Sequence, residues 1–153
     1  MNPDDFALGS IPEGHRSGYV ALVGKPNAGK STLMNALVGR KLSIVSDRPQ
    51  TTRHRILGIL TGDDYQALFL DTPGVIRPRY RLQESMMRSL SSAVVEADLQ
   101  VLLVDASRRD MDEKLLEVLT DRPCILALNK MDLVEQQEAL PIVAFYTERR
   151  SFV

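Results

Sequence analysis

The chain has 153 residues, of which 44% are hydrophobic and 25% charged, a balance typical of a soluble globular domain. Its formal net charge of −1 excludes a bulk electrostatic signal for nucleic acid or an anionic membrane. One cysteine, Cys124, excludes a disulfide framework, which fits a cytoplasmic protein, and its apolar neighbours predict a core position.

The first part of the chain is acidic and interrupted by proline and glycine. We therefore predict a disordered N-terminal extension over residues 1–17, and not a secretory signal. Residues 18–153 are enough for one α/β domain.

An apolar run, Tyr19–Val23, predicts a buried strand, and the glycine-rich sequence GKPNAGKS follows it from Gly24 to Ser31. Apolar residues at helical spacing come next and end at Gly39. A strand before the loop and a helix after it are the context that a phosphate-binding loop requires. They distinguish this loop from an ordinary glycine-rich turn.

The chemistry of such a loop comes from its backbone and from the start of the helix. Glycine lets N–H groups approach an anion closely, and the first helical turn adds unpaired N–H groups and a positive dipole end. Lys30 can reach the outer phosphates, and the Ser31 hydroxyl can ligate magnesium. The residues predicted to bind the nucleotide here are Gly24, Lys25, Pro26, Asn27, Ala28, Gly29, Lys30, Ser31 and Thr32.

Two strands, His54–Leu60 and Tyr65–Leu70, flank the short polar turn TGDD and predict an antiparallel hairpin. The second strand leads into Asp71-Thr72-Pro73-Gly74. A carboxylate at this strand end can hold magnesium through its water shell, and Gly74 can offer its N–H to a terminal phosphate. We therefore interpret DTPG as the sensor of magnesium and the γ-phosphate.

The remaining elements alternate between strands and helices. Apolar residues at positions 82, 86, 90, 94 and 97 predict a helix over Arg81–Ala97. Runs at Leu99–Val104 and Cys124–Leu128 predict buried strands, and a helix capped by Asp110 is expected between them with Met111, Leu115 and Leu119 on one face. A last helix is expected to begin near Leu140, with Pro141 in its first turn. This alternation predicts a mostly parallel sheet with helices on both faces and ligand sites at the carboxyl ends of the strands.

The last predicted strand leads into Asn129-Lys130-Met131-Asp132, a pattern suited to selecting guanine. The Asp132 carboxylate can accept hydrogen bonds from the ring N–H and the exocyclic amine, a donor pair that adenine lacks. The Asn129 amide can bond the base edge and tie this loop to the phosphate loop. The aliphatic part of Lys130 can cover the base plane.

The segment Gln50-Thr51-Thr52-Arg53 precedes the hairpin. A threonine here could add a second hydroxyl ligand to magnesium. Thr52 is our first choice and Thr51 the second, and a β-prone lead-in to the strand is the alternative interpretation.

Together, GKPNAGKS, QTTRH, DTPG and NKMD resemble the translation-factor-like small GTPases in order and spacing. SDRPQTTRHRILGI, followed by DTPGVI and the segment 82–92, is similar to the Era family of bacterial GTPases, within the Era/TrmE-like P-loop GTPases. The resemblance implies a three-layer P-loop NTPase fold with one antiparallel hairpin. It also implies binding of GTP or GDP with Mg²⁺.

For catalysis, the resemblance implies that Lys30, Thr52 and Gly74 act at the γ-phosphate, and that Ser31, Thr52 and Asp71 hold the metal. Many GTPases have a water-orienting glutamine where this chain has Val75, so we expect slow GTP hydrolysis. Related GTPases with an asparagine at the position of Asn27 hold K⁺ near the phosphates, which implies the same ion here.

The resemblance also implies a role in maturation of the small ribosomal subunit, in the cytoplasm, with peripheral association with the inner membrane as a further option in the family. Members of the family carry a Ser-Ala motif, another strand and a helix after the segment that corresponds to NKMD. A KH domain that binds the 3′ end of 16S rRNA follows. This chain ends at Val153, so we expect an incomplete G domain without the RNA-binding module.

Two alternatives stay open at this point. The chain could be a nucleotide-dependent binding module with little hydrolysis, which Val75 favours. It could also be the G domain of a tRNA-modifying or tandem-domain ribosome GTPase, although QTTRHRI favours Era.

Overall fold

The apolar strands assemble into a single sheet. The computed structural model describes residues 14–38, 56–109 and 111–153. Within them the strands are β1 (Arg16–Val23), β2 (Ile56–Thr61), β3 (Tyr65–Leu70), β4 (Leu99–Asp105) and β5 (Cys124–Asn129). Their order across the sheet is β2-β3-β1-β4-β5, and β2 is antiparallel to β3 while the other neighbours are parallel. The predicted fold, mostly parallel with one antiparallel hairpin, is confirmed.

Helices pack on both faces of the sheet because side chains alternate along each strand. The helices are α1 (Lys30–Val38), α2 (Arg81–Glu96), α3 (Lys114–Glu117) and α4 (Gln136–Thr147). Val20 and Leu22 of β1 pack with Met34 of α1 on one face. On the other face, Ala21 and Val23 belong to a larger apolar cluster that includes buried residues from each of α2, α3 and α4. None of the helices in the described ranges is long and apolar enough to cross a membrane.

The buried stripe of α2 differs from the prediction. Leu90, Ala93 and Val94 are buried, whereas Leu82 is 67% exposed and Met86 37% exposed. Residues spaced by four drift around a helix of 3.6 residues per turn, by about 40° at each step. The start of the predicted stripe therefore points away from the core that its end contacts.

The helix expected after Asp110 is a single turn, α3, and Asp110 itself lies outside the described residues. Leu115 is buried as predicted, but Met111 is 46% exposed and Leu119 lies beyond the helix. After the helix the Leu119 N–H donates to the Leu116 carbonyl at 3.1 Å in a tighter turn, and the Thr120 N–H donates to the Gln100 side chain at 3.2 Å.

The last helix begins earlier than predicted, at Gln136, so Pro141 lies inside it and not in its first turn. The Glu138 side chain accepts a hydrogen bond of 3.2 Å from the Glu135 N–H, which satisfies one donor at the start of the helix. Pro141 removes only the hydrogen bond to the Gln137 carbonyl, and Gln137 is exposed, so water can replace that bond.

A buried polar side chain anchors β4, which was predicted as a buried strand. Gln100 is 0% exposed, and its amide group bonds both the N–H and the hydroxyl of Thr120 and the Val94 carbonyl. The side chain therefore connects α2, β4 and the segment before β5. Cys124, which was predicted in the core, is 1% exposed.

We predict that Gln100→Leu lowers the free energy of unfolding by about 1–3 kcal/mol, because the Thr120 N–H is left without its acceptor. Denaturant titration followed by circular dichroism measures the change. The exposed Gln137→Leu is the matched control and should shift stability by less than about 0.5 kcal/mol. Equal effects of the two substitutions would contradict this role for Gln100.

Candidate nucleotide-binding site

The polar residues singled out in the sequence meet at one edge of the sheet. The parallel strands β1, β3, β4 and β5 all end at this edge, which we call the carboxyl rim. Gly24 follows β1, Asp71 follows β3, and Asp105 lies opposite Asn129 at the ends of β4 and β5. Topology thus brings the phosphate loop, the DTPG segment and the NKMD segment together.

The phosphate loop is closed by its own lysine. The Lys30 ammonium donates hydrogen bonds of 3.0 Å to the Gly24 carbonyl and 2.9 Å to the Lys25 carbonyl. Asn27 and Gly29 have positive φ angles of 63° and 101°, which give the loop its turn. Burial lowers the pKa of Lys30, because the charged ammonium loses hydration. A phosphate in this loop would supply the counter-charge that stabilises the ammonium.

A hydrogen bond connects the phosphate loop to the NKMD segment. The side-chain amide of Asn129 donates to the Ala28 carbonyl at 2.9 Å. A Cβ atom at Gly29 would lie 2.0 Å from that amide nitrogen, and the φ of 101° is one that residues with side chains rarely adopt, so this position favours glycine. The tie expected between the two loops is therefore present.

The DTPG segment lies directly on the phosphate loop. The Thr72 hydroxyl donates to the Leu22 carbonyl, and the Val75 N–H donates to the Gly24 carbonyl at 2.9 Å. A Cβ atom at Gly74 would lie 2.7 Å from the Pro26 nitrogen. A movement of this segment would therefore disturb atoms that contact the phosphate loop.

The oxygen donors at the rim fit a magnesium ion held largely by a nucleotide. Ser31, in the first turn of α1, and Asp71 are both exposed there, and hydroxyl and carboxylate oxygens suit Mg²⁺. Across the described ranges, no group of three or more His, Cys, Asp or Glu side chains could hold a metal alone. Thr52 and the alternative Thr51 lie outside the described residues.

The NKMD segment leaves β5 through a strained residue. Lys130 has φ 59° and ψ 35°, and a short 3₁₀ helix, Met131–Leu133, follows it. Asp132 is exposed in this turn. The Lys130 ammonium forms an ion pair of 2.6 Å with Asp105. The segment thus carries an exposed carboxylate and a lysine whose charge is already paired.

Sequence reasoning missed two carboxylates near the site. Asp105 pairs with Lys130, and Asp112 pairs with Lys25 of the phosphate loop at 2.8 Å. The hydrogen bond from Lys25 lowers the pKa of Asp112 and outweighs the effect of burial. Asp105 had a detectable signal, because it ends an apolar strand at the carboxyl rim just as Asp71 follows one.

Comparison with known proteins agrees with this geometry. The family model described as 50S ribosome-binding GTPase matches residues 19–130. The chloroplastic GTPase ERA-like protein of Oryza sativa subsp. japonica is 50% identical over 141 residues, which are 86% of this chain and 33% of that protein. GTPase Era of Heliobacterium modesticaldum is 43% identical over 137 residues, which are 87% of this chain and 46% of that protein.

Solved structures give the same result. A crystal structure of Era in complex with MgGDPNP and nucleotides 1506–1542 of 16S ribosomal RNA has a TM-score of 0.72 at 36% identity, covering 89% of this chain and 48% of that one. A variant of Aquifex aeolicus Era bound to GDP and AlF4− has a TM-score of 0.70 at 37% identity, covering 88% of this chain and 48% of that one.

This chain spans between a third and a half of the length of these relatives. The family model nevertheless matches most of its residues. The predicted resemblance is confirmed: the chain belongs to the family of 50S ribosome-binding GTPases and, within it, is a relative of the Era GTPases.

Proposed function

We propose that this chain binds a guanine nucleotide with Mg²⁺ and hydrolyses GTP to GDP and phosphate, as a switch of the Era type. The observation that carries the proposal is the double contact of the phosphate loop. Asn129 bonds it from the base-recognition side, and Gly74 packs against it from the γ-phosphate side. A single ligand with a base and phosphates would span these contacts.

The phosphate end would be bound by the loop amides and Lys30, whose ammonium lies beside the loop carbonyls. Ser31 and Asp71 would hold the metal, with Thr52 as the additional hydroxyl ligand. When bound, Mg²⁺ neutralises charge on the phosphates and so assists phosphoryl transfer. Catalysis of this kind is mainly positioning and charge stabilisation, to which Lys30 and the N–H of Gly74 would contribute.

Slow turnover is the expected rate behaviour. The side chain of Val75 packs against the apolar cluster below the rim, and its N–H is bonded to Gly24. A valine so placed neither bonds nor orients an attacking water. The same observation favours the second candidate function, a nucleotide-dependent binding module with little hydrolysis.

A single-turnover assay of phosphate release separates the two functions. The proposed GTPase should convert bound GTP completely, although slowly. Lys30→Met is the matched control, because it keeps the side-chain stem but removes the charge that stabilises phosphoryl transfer. GTP that stays intact on the wild-type chain would identify a binding module.

The cellular role is proposed by analogy with Era. One similar structure is a complex of Era with part of 16S ribosomal RNA. We propose that the protein acts in the cytoplasm on the small ribosomal subunit and its rRNA, with the nucleotide state controlling the contact. Ribosomal subunit profiles of a strain depleted of this protein would test the role, since a loss of mature small subunits is expected.

We predict that Asp132→Asn weakens GTP binding by about 10- to 100-fold, because a carboxylate that accepts two hydrogen bonds from guanine is lost. The variant should bind xanthosine triphosphate better than GTP, since xanthine presents an acceptor where guanine presents its amine. Competition titration measures both affinities. Asp121→Asn, an exposed change in the turn before β5, is the control, and an undiminished preference for GTP would contradict the assignment.

We predict that GTP hydrolysis is roughly tenfold or more faster in K⁺ than in Na⁺, because a cation near the phosphates stabilises charge in the transition state. Asn27→Gly should abolish this difference, since glycine keeps the left-handed backbone but lacks the amide oxygen. Equal wild-type rates in the two salts would exclude the ion.

A further inference from the structure

Asp105 is a buried carboxylate whose role the phosphate and base motifs leave open. It is 7% exposed at the carboxyl end of β4, opposite Asn129 in the strand register. One carboxylate oxygen accepts from the N–H of Ser107 at 3.0 Å and from its hydroxyl at 2.5 Å. The other oxygen accepts from the Lys130 ammonium at 2.6 Å. Ser107 thus fixes the orientation of the carboxylate through one oxygen, and the other oxygen faces Lys130.

Lys130 is the bonded partner that belongs to the nucleotide site. Its ammonium is held at β4, while its backbone adopts a left-handed conformation that residues other than glycine rarely take. Asn129 on one side of it bonds the phosphate loop, and Asp132 lies just beyond it in the 3₁₀ turn. A shift of Lys130 would therefore move both neighbours.

The electrostatics favour a charged pair. Burial alone would raise the pKa of Asp105, but hydrogen bonds from Lys130 and Ser107 and the charge of Lys130 outweigh it, so the pKa lies below its usual value. The Arg108 guanidinium also lies 3.5 Å from the Asp105 oxygen that accepts from Lys130, but the Arg108 side chain is 54% exposed. The shorter contact to Lys130 is the specific one.

We infer that Asp105 is a positioning residue for guanine recognition, which holds Lys130 and so sets the geometry of the base-binding segment Asn129–Asp132. This inference rests on the proposed function. It assigns to β4 an indirect part in base selection, because the Asp105 carboxylate acts through Lys130.

The test is a double-mutant cycle in nucleotide affinity. Fluorescent N-methylanthraniloyl-GDP and its inosine counterpart are titrated into the wild type, Asp105→Asn, Lys130→Met and the double variant. Asp105→Asn should weaken GDP binding about tenfold, the scale of one charge-assisted hydrogen bond. It should also narrow the preference for GDP over IDP, because inosine lacks the amine that a well-placed Asp132 recognises. In the Lys130→Met background, the same change should have little effect.

Arg108→Gln is the matched control, since it removes the other cation near Asp105, and it should leave both affinities within twofold of the wild type. A loss that is equal for GDP and IDP, or equally large without Lys130, would overturn the inference and indicate a general structural role. Should Asp105→Asn not fold, Asp105→Glu moves the carboxylate and Lys130→Met breaks the pair from its more exposed side. Wild-type affinities for both of these variants would also overturn it.

The two levels of failure are distinguishable. A wild-type chain that binds neither nucleotide contradicts the proposed function, and the inference falls with it. A wild-type chain that binds GDP, together with an Asp105→Asn variant of unchanged affinity and base preference, contradicts the inference alone.

Discussion

The rim depends on two close contacts at glycines, one with a side chain and one with backbone, that leave no room for a Cβ atom. A Cβ atom at Gly29 would overlap the side-chain amide of Asn129, and a Cβ atom at Gly74 would overlap the backbone nitrogen of Pro26. These approaches bring the phosphate loop, the DTPG segment and the NKMD segment into contact, although they are far apart in the chain. Sheet topology makes this contact possible, because it places the ends of parallel strands at one edge.

Those parts that obey local rules could be predicted from the sequence. Apolar runs that end at glycine or a polar residue predicted β1, β3, β4 and β5, and a four-residue polar turn predicted the hairpin. The phosphate loop was predictable because turn geometry demands glycine there. The link between Asn129 and the phosphate loop was predictable from chemistry, since an amide can bond a base and a backbone carbonyl together.

Other features could not be predicted because they depend on contacts between distant segments. Gln100 appears as an irregularity in an apolar strand until Thr120 is placed beside it. The chain after α3 leads to that contact, which no pattern within the helix indicates. The exposed start of α2 depends on where the core ends, and the pairing of Asp105 with Lys130 depends on the register of β4 and β5.

One atom in this structure has a wider consequence. The carbonyl oxygen of Gly24 accepts hydrogen bonds from the Lys30 ammonium at 3.0 Å and from the Val75 N–H at 2.9 Å. A carbonyl has two lone pairs, so this oxygen is saturated. If the backbone at Val75 moved away, one of these two hydrogen bonds would be lost, and among the described residues the Lys30 ammonium would be left as donor to this oxygen. The position of the segment at Val75 and the environment of the Lys30 ammonium thus depend on the same carbonyl oxygen. A movement of that segment would change the hydrogen bonding around the charge that is proposed to bind phosphate.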